Sequence, residues 1–138
     1  MGPKQPFLLV DDDDVDVMTV QRAFRQLQLP NALHRVANGE EALMFLRDPA
    51  NPRPGVILLD LKMPRMSGIE FLKEREQDAV LKSIPVVVLT TSEAPVDRNA
   101  CFSKCIAGYM VKPVDYPQFV KMMTVIREYW DISASPEN

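Results

Sequence analysis

Five short apolar runs recur along this chain, and they constrain its fold more than any other feature does. They begin near residues 7, 33, 55, 84 and 107, and most of the segments between them carry apolar residues at helical spacing. Each interval is long enough for one helix with its loops, which is the crossover that consecutive parallel strands require. The alternation therefore predicts an α/β domain, a doubly wound (βα)5 sandwich around a parallel five-stranded sheet.

The boundaries of the predicted elements follow from apolar spacing and from residues that favour helix starts and loops. Strands are predicted at 7–10, 33–37, 56–60, 84–89 and 107–111, and helices at 13–28, 40–47, 67–77, 95–105 and 116–130. The fourth run is rich in β-branched residues, which indicates a strand buried on both faces and therefore inside the sheet. Residues 1–138 are expected to form one domain with a core at about 6–130, and residues 131–138 a flexible tail.

Composition argues against several classes of function. The chain has 138 residues, 46% of them hydrophobic, and a formal net charge of −3, so it offers no basic surface for nucleic acid. No apolar stretch is long enough to span a membrane and no signal region begins the chain, so a cytoplasmic protein is expected. Cys101 and Cys105 are spaced for one helical face rather than for a disulfide, and both are expected to be reduced.

Polar residues follow four of the five runs at the point where each predicted strand ends. Asp11 and Asp12 follow the first run, Asp60 ends the third, Thr90 follows the fourth and Lys112 follows the fifth. The carboxyl ends of parallel strands line one edge of a sheet, and open α/β folds bind their ligands there. We therefore expect these five side chains to converge. The second run ends on no such residue.

The three strand-end carboxylates predict a magnesium site. Carboxylates pressed together repel unless a cation neutralises them, and Mg²⁺ prefers hard oxygen ligands while keeping a position for a phosphate oxygen. The backbone carbonyl of Lys62 could complete the set. With such a metal, Asp60 could attack phosphorus as a nucleophile, Thr90 could donate a hydrogen bond to the phosphoryl group, and Lys112 could pair with another of its oxygens.

Four strings carry a resemblance to a known family. FLLVDDD, LLDLKMP, PVVVLTTS and GYMVKP, in this order and with these separations, resemble the receiver domains of two-component response regulators. The resemblance covers about residues 6–130 and implies a flavodoxin-like sheet with strand order 2-1-3-4-5, in which the second run lies at the edge. It also implies that Asp60 accepts a phosphoryl group from a sensor histidine kinase or a histidine phosphotransfer protein. Thr90 and Tyr109 would then reposition as a switch, and Pro113 would follow a cis peptide bond.

Two surfaces are expected to meet partners. By the same resemblance, a kinase or phosphotransfer protein docks on the outer face of the first helix, at Val15, Met18 and Arg22. The TTS after the fourth run, the long loop before the third and the ending IREYWDIS are similar to small response regulators partnered with bacterial phytochromes, which often form dimers. On the last helix, one apolar stripe is predicted to pack on the sheet, and its residues are Phe119, Met123, Ile126 and Trp130. A second apolar stripe beside it predicts a homodimer surface. The residues of this second stripe are Met122, Val125, Tyr129 and Ile132.

Other interpretations stay open from the sequence alone. The run 11–14 could be only an acidic helix cap. Hydrolases of the haloacid dehalogenase type also use a strand-end aspartate with magnesium, but they usually carry a second acid where this chain has Lys62. An interaction module that is never phosphorylated is a third hypothesis. The favoured interpretation is a signalling phosphoacceptor without an output domain, which is not an enzyme beyond catalysing its own Mg²⁺-dependent phosphorylation and dephosphorylation.

Overall fold

The sheet contains five parallel strands in the predicted order. The computed structural model describes residues 5–132, with side chains described as far as Tyr129. The strands are β1 (Phe7–Val10), β2 (Leu33–Val36), β3 (Val56–Leu59), β4 (Val86–Thr90) and β5 (Gly108–Val111). They pair in the order β2-β1-β3-β4-β5, which confirms the doubly wound, flavodoxin-like topology.

Burial distinguishes the inner strands from the edge strands. Every residue of β1, β3 and β4 is buried, whereas no residue of β2 or β5 is fully buried. The β-branched run of β4 therefore lies inside the sheet, as its composition predicts. The run that ends on no polar residue of the set, β2, lies at the edge beside β1.

Six helices lie between and after the strands within residues 5–132: α1 (Asp14–Gln26), α2 (Gly39–Arg47), α3 (Gly68–Glu76), α4 (Ala79–Lys82), α5 (Pro95–Phe102) and α6 (Tyr116–Ile132). Side chains satisfy the free N–H groups at several helix starts. The Asp13 carboxylate accepts two N–H groups of α1, and Ser67 forms a reciprocal capping box with Glu70 at α3. The one-turn helix α4 was not predicted, because four residues are too few to show helical periodicity.

Each face of the sheet has its own hydrophobic core, because successive side chains of a strand point to opposite faces. Helices α2 to α5 cover one face, where Phe71 of α3 packs in the same cluster as Leu8 of β1. Helices α1 and α6 cover the other face, where Phe24 and Met123 share a cluster with Leu9. The helices and the sheet therefore form three layers.

The cysteine segment differs from the prediction. Helix α5 ends at Phe102 rather than near residue 105, and Cys105 has a φ of 58°, in the left-handed region that often follows a helix. Cys101 and Cys105 therefore do not share a helical face. Both are free thiols, as predicted. Cys101 is buried, and this burial raises the pKa of its thiol to about 11, whereas Cys105 is exposed.

The last helix continues to Ile132, two residues beyond its predicted end. Phe119, Met123 and Ile126 are buried, as the predicted inward stripe requires. The side chains of Trp130 and Ile132 lie outside the described residues, and so does the predicted tail after residue 132.

The peptide bond before Pro113 was expected to be cis, and this expectation is wrong. Between residues 5 and 132 every peptide bond is trans, which is the lower-energy isomer even before a proline. No helix in this part of the chain is both long and apolar enough to cross a membrane.

Candidate functional site

The predicted strand-end residues lie together at the carboxyl edge of the sheet. Backbone hydrogen bonds extend the strand ladders by one residue at Asp11, Asp60 and Lys112. The N–H of Asp11 donates to the carbonyl of Val36 over 3.1 Å, and that of Asp60 donates to the last carbonyl of β1 over 3.0 Å. The N–H of Lys112 donates to the carbonyl of Thr90 over 2.7 Å. These bonds fix the backbone from which the functional side chains project.

Three carboxylates form an acidic cluster at this edge, which we define as Asp11, Asp12 and Asp60. One oxygen of each lies within 4.8 Å of the others. Asp11 is 1% exposed and Asp60 is 8% exposed, whereas Asp12 is exposed. Burial, together with the charge of Asp11, raises the pKa of Asp60 to about 6 against the opposing effect of Lys112. Hard oxygen donors whose charge is poorly compensated fit a divalent cation such as Mg²⁺.

Lys112 is the cation that faces the acidic cluster. Its Nζ lies 2.7 Å from Asp16 Oδ2, 2.9 Å from Asp11 Oδ2 and 3.8 Å from Asp60 Oδ1. Burial of the ammonium lowers its pKa, but hydrogen bonds to Asp16 and Asp11 outweigh burial, so the pKa of Lys112 is raised. Lys112 is therefore protonated at neutral pH and offsets part of the charge of the cluster.

Asp11 is oriented by hydrogen bonds on both of its carboxylate oxygens. Its Oδ1 accepts the N–H of Asp13 over 2.9 Å, and its Oδ2 accepts Lys112. The backbone carbonyl of Asp11 accepts Nε of Arg35 over 3.0 Å, and Arg35 in turn pairs with Asp14 at the surface. Burial raises the pKa of Asp11 despite these bonds.

Thr90 and Tyr109 are connected through the loop that follows β4. Thr90 is buried, its hydroxyl lies close enough to Asp60 to lower the pKa of that carboxyl, and its Oγ1 accepts the N–H of Ser92 over 3.3 Å. The Tyr109 hydroxyl donates to the carbonyl of Ser92 over 3.0 Å. The ring centroid of Tyr109 lies 6.4 Å from that of Phe102. A displacement of Ser92 would therefore alter hydrogen bonds to both predicted switch residues.

The loop after β3 packs Asp60 against the start of α3. The N–H of Gly68 donates to the carbonyl of Leu61 over 2.9 Å, and a Cβ on Gly68 would overlap the backbone oxygen of Asp60. Only glycine fits this approach. Lys62 lies in the same loop with an exposed side chain, and the use of its backbone carbonyl as a metal ligand stays a prediction.

The predicted docking residues lie on the outer face of α1. Val15 is 70% exposed and Met18 is 64% exposed. The guanidinium of Arg22 lies 4.0 Å from the ring centroid of Tyr116, at the start of α6. Val15 and Arg22 line a groove between α1 and the segment that leads from β5 into α6.

The predicted dimer residues lie on α6 but differ in burial. Val125 is 57% exposed and Tyr129 is 54% exposed. Met122 is partly buried against the core of the α1 and α6 face, so it is less available than the prediction assumed. The side chain of Ile132 lies outside the described residues.

Asp16 belongs to the site but was missed by the sequence analysis. Its carboxylate is closer to Lys112 than that of Asp11 or Asp60. Acidic residues are common in the first turn of a helix because they favour the helix dipole, so Asp16 did not stand out from its acidic neighbours. Its spacing from the other acids carried no helical signal either, because Asp12 precedes the N-cap residue Asp13 and lies outside α1.

Comparison with known sequences adds independent information. Residues 7–124 match the family model of the response regulator receiver domain. Response regulator Rcp1 of Synechocystis sp. is 35% identical over 133 residues, which cover 94% of this chain and 90% of that protein. The probable methanogenesis regulatory protein FilR2 of Methanothrix harundinacea is 33% identical over 132 residues, which cover 92% of this chain and 85% of that protein.

Solved structures share the fold over nearly the whole chain. The phosphorylated cyanobacterial phytochrome response regulator RcpA matches with a TM-score of 0.90 and 31% identity, covering 98% of this chain and 100% of that chain. The Mn²⁺-bound form of response regulator Rcp1 matches with a TM-score of 0.87 and 33% identity, covering 96% of this chain and 99% of that chain.

Proposed function

The chain belongs to the response regulator receiver family, and we propose on that basis that Asp60 accepts a phosphoryl group from a histidine kinase or a histidine phosphotransfer protein. The observation that carries the proposal is the position of Asp60, which is buried within the acidic cluster and 3.8 Å from Lys112 Nζ. Its pKa of about 6 makes the carboxylate more basic than a surface aspartate, yet largely ionised at neutral pH. A more basic carboxylate is a better nucleophile toward phosphorus.

The acidic cluster is the proposed Mg²⁺ site. Asp11, Asp12 and Asp60 would hold the ion together with the backbone carbonyl of Lys62, and the similar protein Rcp1 has been solved with Mn²⁺. When bound, the ion offsets the negative charge of the incoming phosphoryl group. The hydrogen bond from Asp13 to Asp11 holds one ligand in place before the metal arrives.

Lys112 and Thr90 are proposed to contact the transferred group. An oxygen of Asp60 forms a bond to phosphorus while the bond from phosphorus to the donor imidazole nitrogen breaks, so atoms and charge balance without an oxidant. Two N–H groups of Lys112 donate to Asp11 and Asp16. Its third N–H would donate to a phosphoryl oxygen, since Nζ lies 3.8 Å from Asp60 Oδ1. Thr90 would donate its hydroxyl to another oxygen of the group.

The proposed output is a change of the surface formed by α5, β5 and α6. Phosphorylation adds about −1.5 to −2 charge at Asp60, which would draw the Thr90 hydroxyl toward it. Because Ser92 is bonded to both Thr90 and Tyr109, movement of Thr90 would release the Tyr109 hydroxyl and let its ring repack. Tyr109 would therefore report the state of Asp60 to residues on the outside of the molecule.

Partners follow from the two exposed surfaces. The donor is proposed to dock on α1 at Val15, Met18 and Arg22, and a second copy of the chain on the face that includes Val125 and Tyr129 of α6. Since RcpA is a phytochrome response regulator, a phytochrome-type histidine kinase in the cytoplasm is the first candidate donor. Because the chain is also similar to FilR2, other histidine kinases are candidate donors as well. A panel of purified kinases should therefore be compared for phosphotransfer to this chain.

The proposed function can be tested with beryllofluoride, which imitates a phosphoryl group on a carboxylate. We expect backbone NMR signals around Asp60, Ser92 and Tyr109 to shift when beryllofluoride and Mg²⁺ are added together, and Asp60→Asn to abolish the response. No Mg²⁺-dependent response in the parent would indicate an inert interaction module. Multiple turnover of unrelated phosphate esters would instead indicate a hydrolase.

A further inference from the structure

Asp16 is the carboxylate nearest to Lys112, although it is not part of the acidic cluster. Its Oδ2 lies 2.7 Å from Lys112 Nζ, compared with 2.9 Å for Asp11 and 3.8 Å for Asp60. The side chain of Lys112 is only 9% exposed and that of Asp16 is 35% exposed. A largely buried ammonium is therefore shared between a proposed metal ligand and a carboxylate of α1 that has no other assigned role.

This sharing matters because two cations need Asp11. Its Oδ1 accepts the N–H of Asp13, and its Oδ2 accepts Lys112. A divalent ion on Asp11 would repel an ammonium that lies 2.9 Å from the same carboxylate. A buried cation that loses its partner is strongly unfavourable, so Lys112 can release Asp11 only if another carboxylate retains it. Asp16 is in place to do so.

We propose that Asp16 is a positioning residue that retains Lys112 when a divalent ion binds the acidic cluster, so that metal and lysine occupy the site together. The inference rests on the proposed function and deepens it. Asp16 keeps the ammonium beside Asp60, where a phosphoryl oxygen would arrive, without requiring Asp11 to serve both cations. Without Asp16, Lys112 competes with the metal for Asp11.

A double-mutant cycle tests the proposal. The Mg²⁺ affinity of the parent, Asp16→Asn, Lys112→Met and the double variant is measured by isothermal titration calorimetry. Loss of one negative charge weakens cation binding in either background, but loss through competition requires Lys112. The factor by which Asp16→Asn weakens Mg²⁺ binding is compared in the two backgrounds. We expect this factor to be at least about threefold larger with Lys112 present than in the Lys112→Met background, as for residues in one network. Equal factors in the two backgrounds would overturn the proposal.

Two further variants separate positioning from general charge. Asp14→Asn is the matched control, because it removes the same charge from the first turn of α1, and the side chain of Asp14 is 83% exposed and pairs with Arg35. Asp14→Asn should weaken Mg²⁺ binding by the same factor with Lys112 present as in the Lys112→Met background. Asp16→Glu keeps the charge and should restore Mg²⁺ binding toward that of the parent, and a failure to restore it counts against Asp16 as the partner of Lys112. A parent that binds no Mg²⁺ would refute the proposed function itself, whereas a parent that binds normally with equal factors refutes only the role of Asp16.

Discussion

Asp60→Asn should make the metal-free protein more stable, because the Asp60 carboxylate is ionised where its charge is unfavourable. Burial raises its pKa from the ordinary 3.8 to about 6. One pKa unit corresponds to about 1.4 kcal/mol, so above neutral pH the charge lowers the free energy of unfolding by about 3 kcal/mol. Asparagine keeps an acceptor for the N–H of Leu61 without the charge. We therefore expect a gain of about 3 kcal/mol, or about 10 °C in Tm.

The gain should depend on pH with a definite sign. Above the pKa of Asp60 in both the folded and the unfolded chain, the carboxyl is ionised in both states, and its charge lowers the free energy of unfolding by the full amount. As the pH falls from about 6 to 3.8, the folded carboxyl takes up a proton before the unfolded one does, so the parent recovers stability. The difference between Asp60→Asn and the parent should therefore be largest near about pH 8 and vanish below about pH 3.8.

The assay is urea denaturation followed by circular dichroism, in EDTA and in excess Mg²⁺. Mg²⁺ should reduce the difference in the free energy of unfolding between Asp60→Asn and the parent, because the parent binds the ion more tightly than the variant does. Asp14→Asn, which removes an exposed charge, is the control and should change the free energy of unfolding by less than about 0.5 kcal/mol. If Asp60→Asn is no more stable than the parent in EDTA near about pH 8, the electrostatic reasoning about the cluster is wrong.

Three other substitutions test the parts of the fold that support the site. Gly68→Ala should lower the free energy of unfolding by about 2 kcal/mol and weaken Mg²⁺ binding, because the new Cβ displaces the backbone of Asp60. An unchanged Mg²⁺ affinity in titration calorimetry would contradict this. Arg75→Ala should lower the free energy of unfolding, measured by urea denaturation, by about 3 kcal/mol. The reason is that the buried guanidinium donates to the carbonyls of Lys82, Ile84 and Lys104. A loss below about 1 kcal/mol would show that these bonds are dispensable. Tyr109→Phe should cost about 1 kcal/mol through the lost hydrogen bond to Ser92 and should reduce the beryllofluoride shifts on α5; an unchanged response would exclude Tyr109 from the switch.

The convergence of Asp11, Asp60, Thr90 and Lys112 could be predicted from the sequence for a simple physical reason. Parallel strands end at one edge of a sheet, so residues that follow separate apolar runs must meet there. The edge position of β2 could also be predicted, because a run without functional residues at its end is not needed at the centre. Strand burial then followed from composition, as the apolar run of β4 shows.

Features that depend on one ion pair or on one short turn could not be predicted. Asp16 is an ordinary helix-start acid until the fold places Lys112 2.7 Å away. Helix α5 ends at Phe102, and the turn after it contains Cys105 in the left-handed conformation, which propensity does not favour for cysteine. Helix α4 is one turn long and is defined by the Asp78 cap rather than by periodicity. Apolar periodicity records neither a long-range ion pair nor a single short turn, so it could not reveal these features.

The most direct test of the central claim is to identify the residue that becomes phosphorylated. The full chain is incubated with acetyl phosphate and Mg²⁺, and the modified residue is located by mass spectrometry after chemical trapping of the acyl phosphate. We predict one phosphoryl group per chain, on Asp60, that requires Mg²⁺ and is absent in Asp60→Asn. A parent that stays unmodified in Mg²⁺, or an Asp60→Asn variant that is modified to the same extent, would contradict the account.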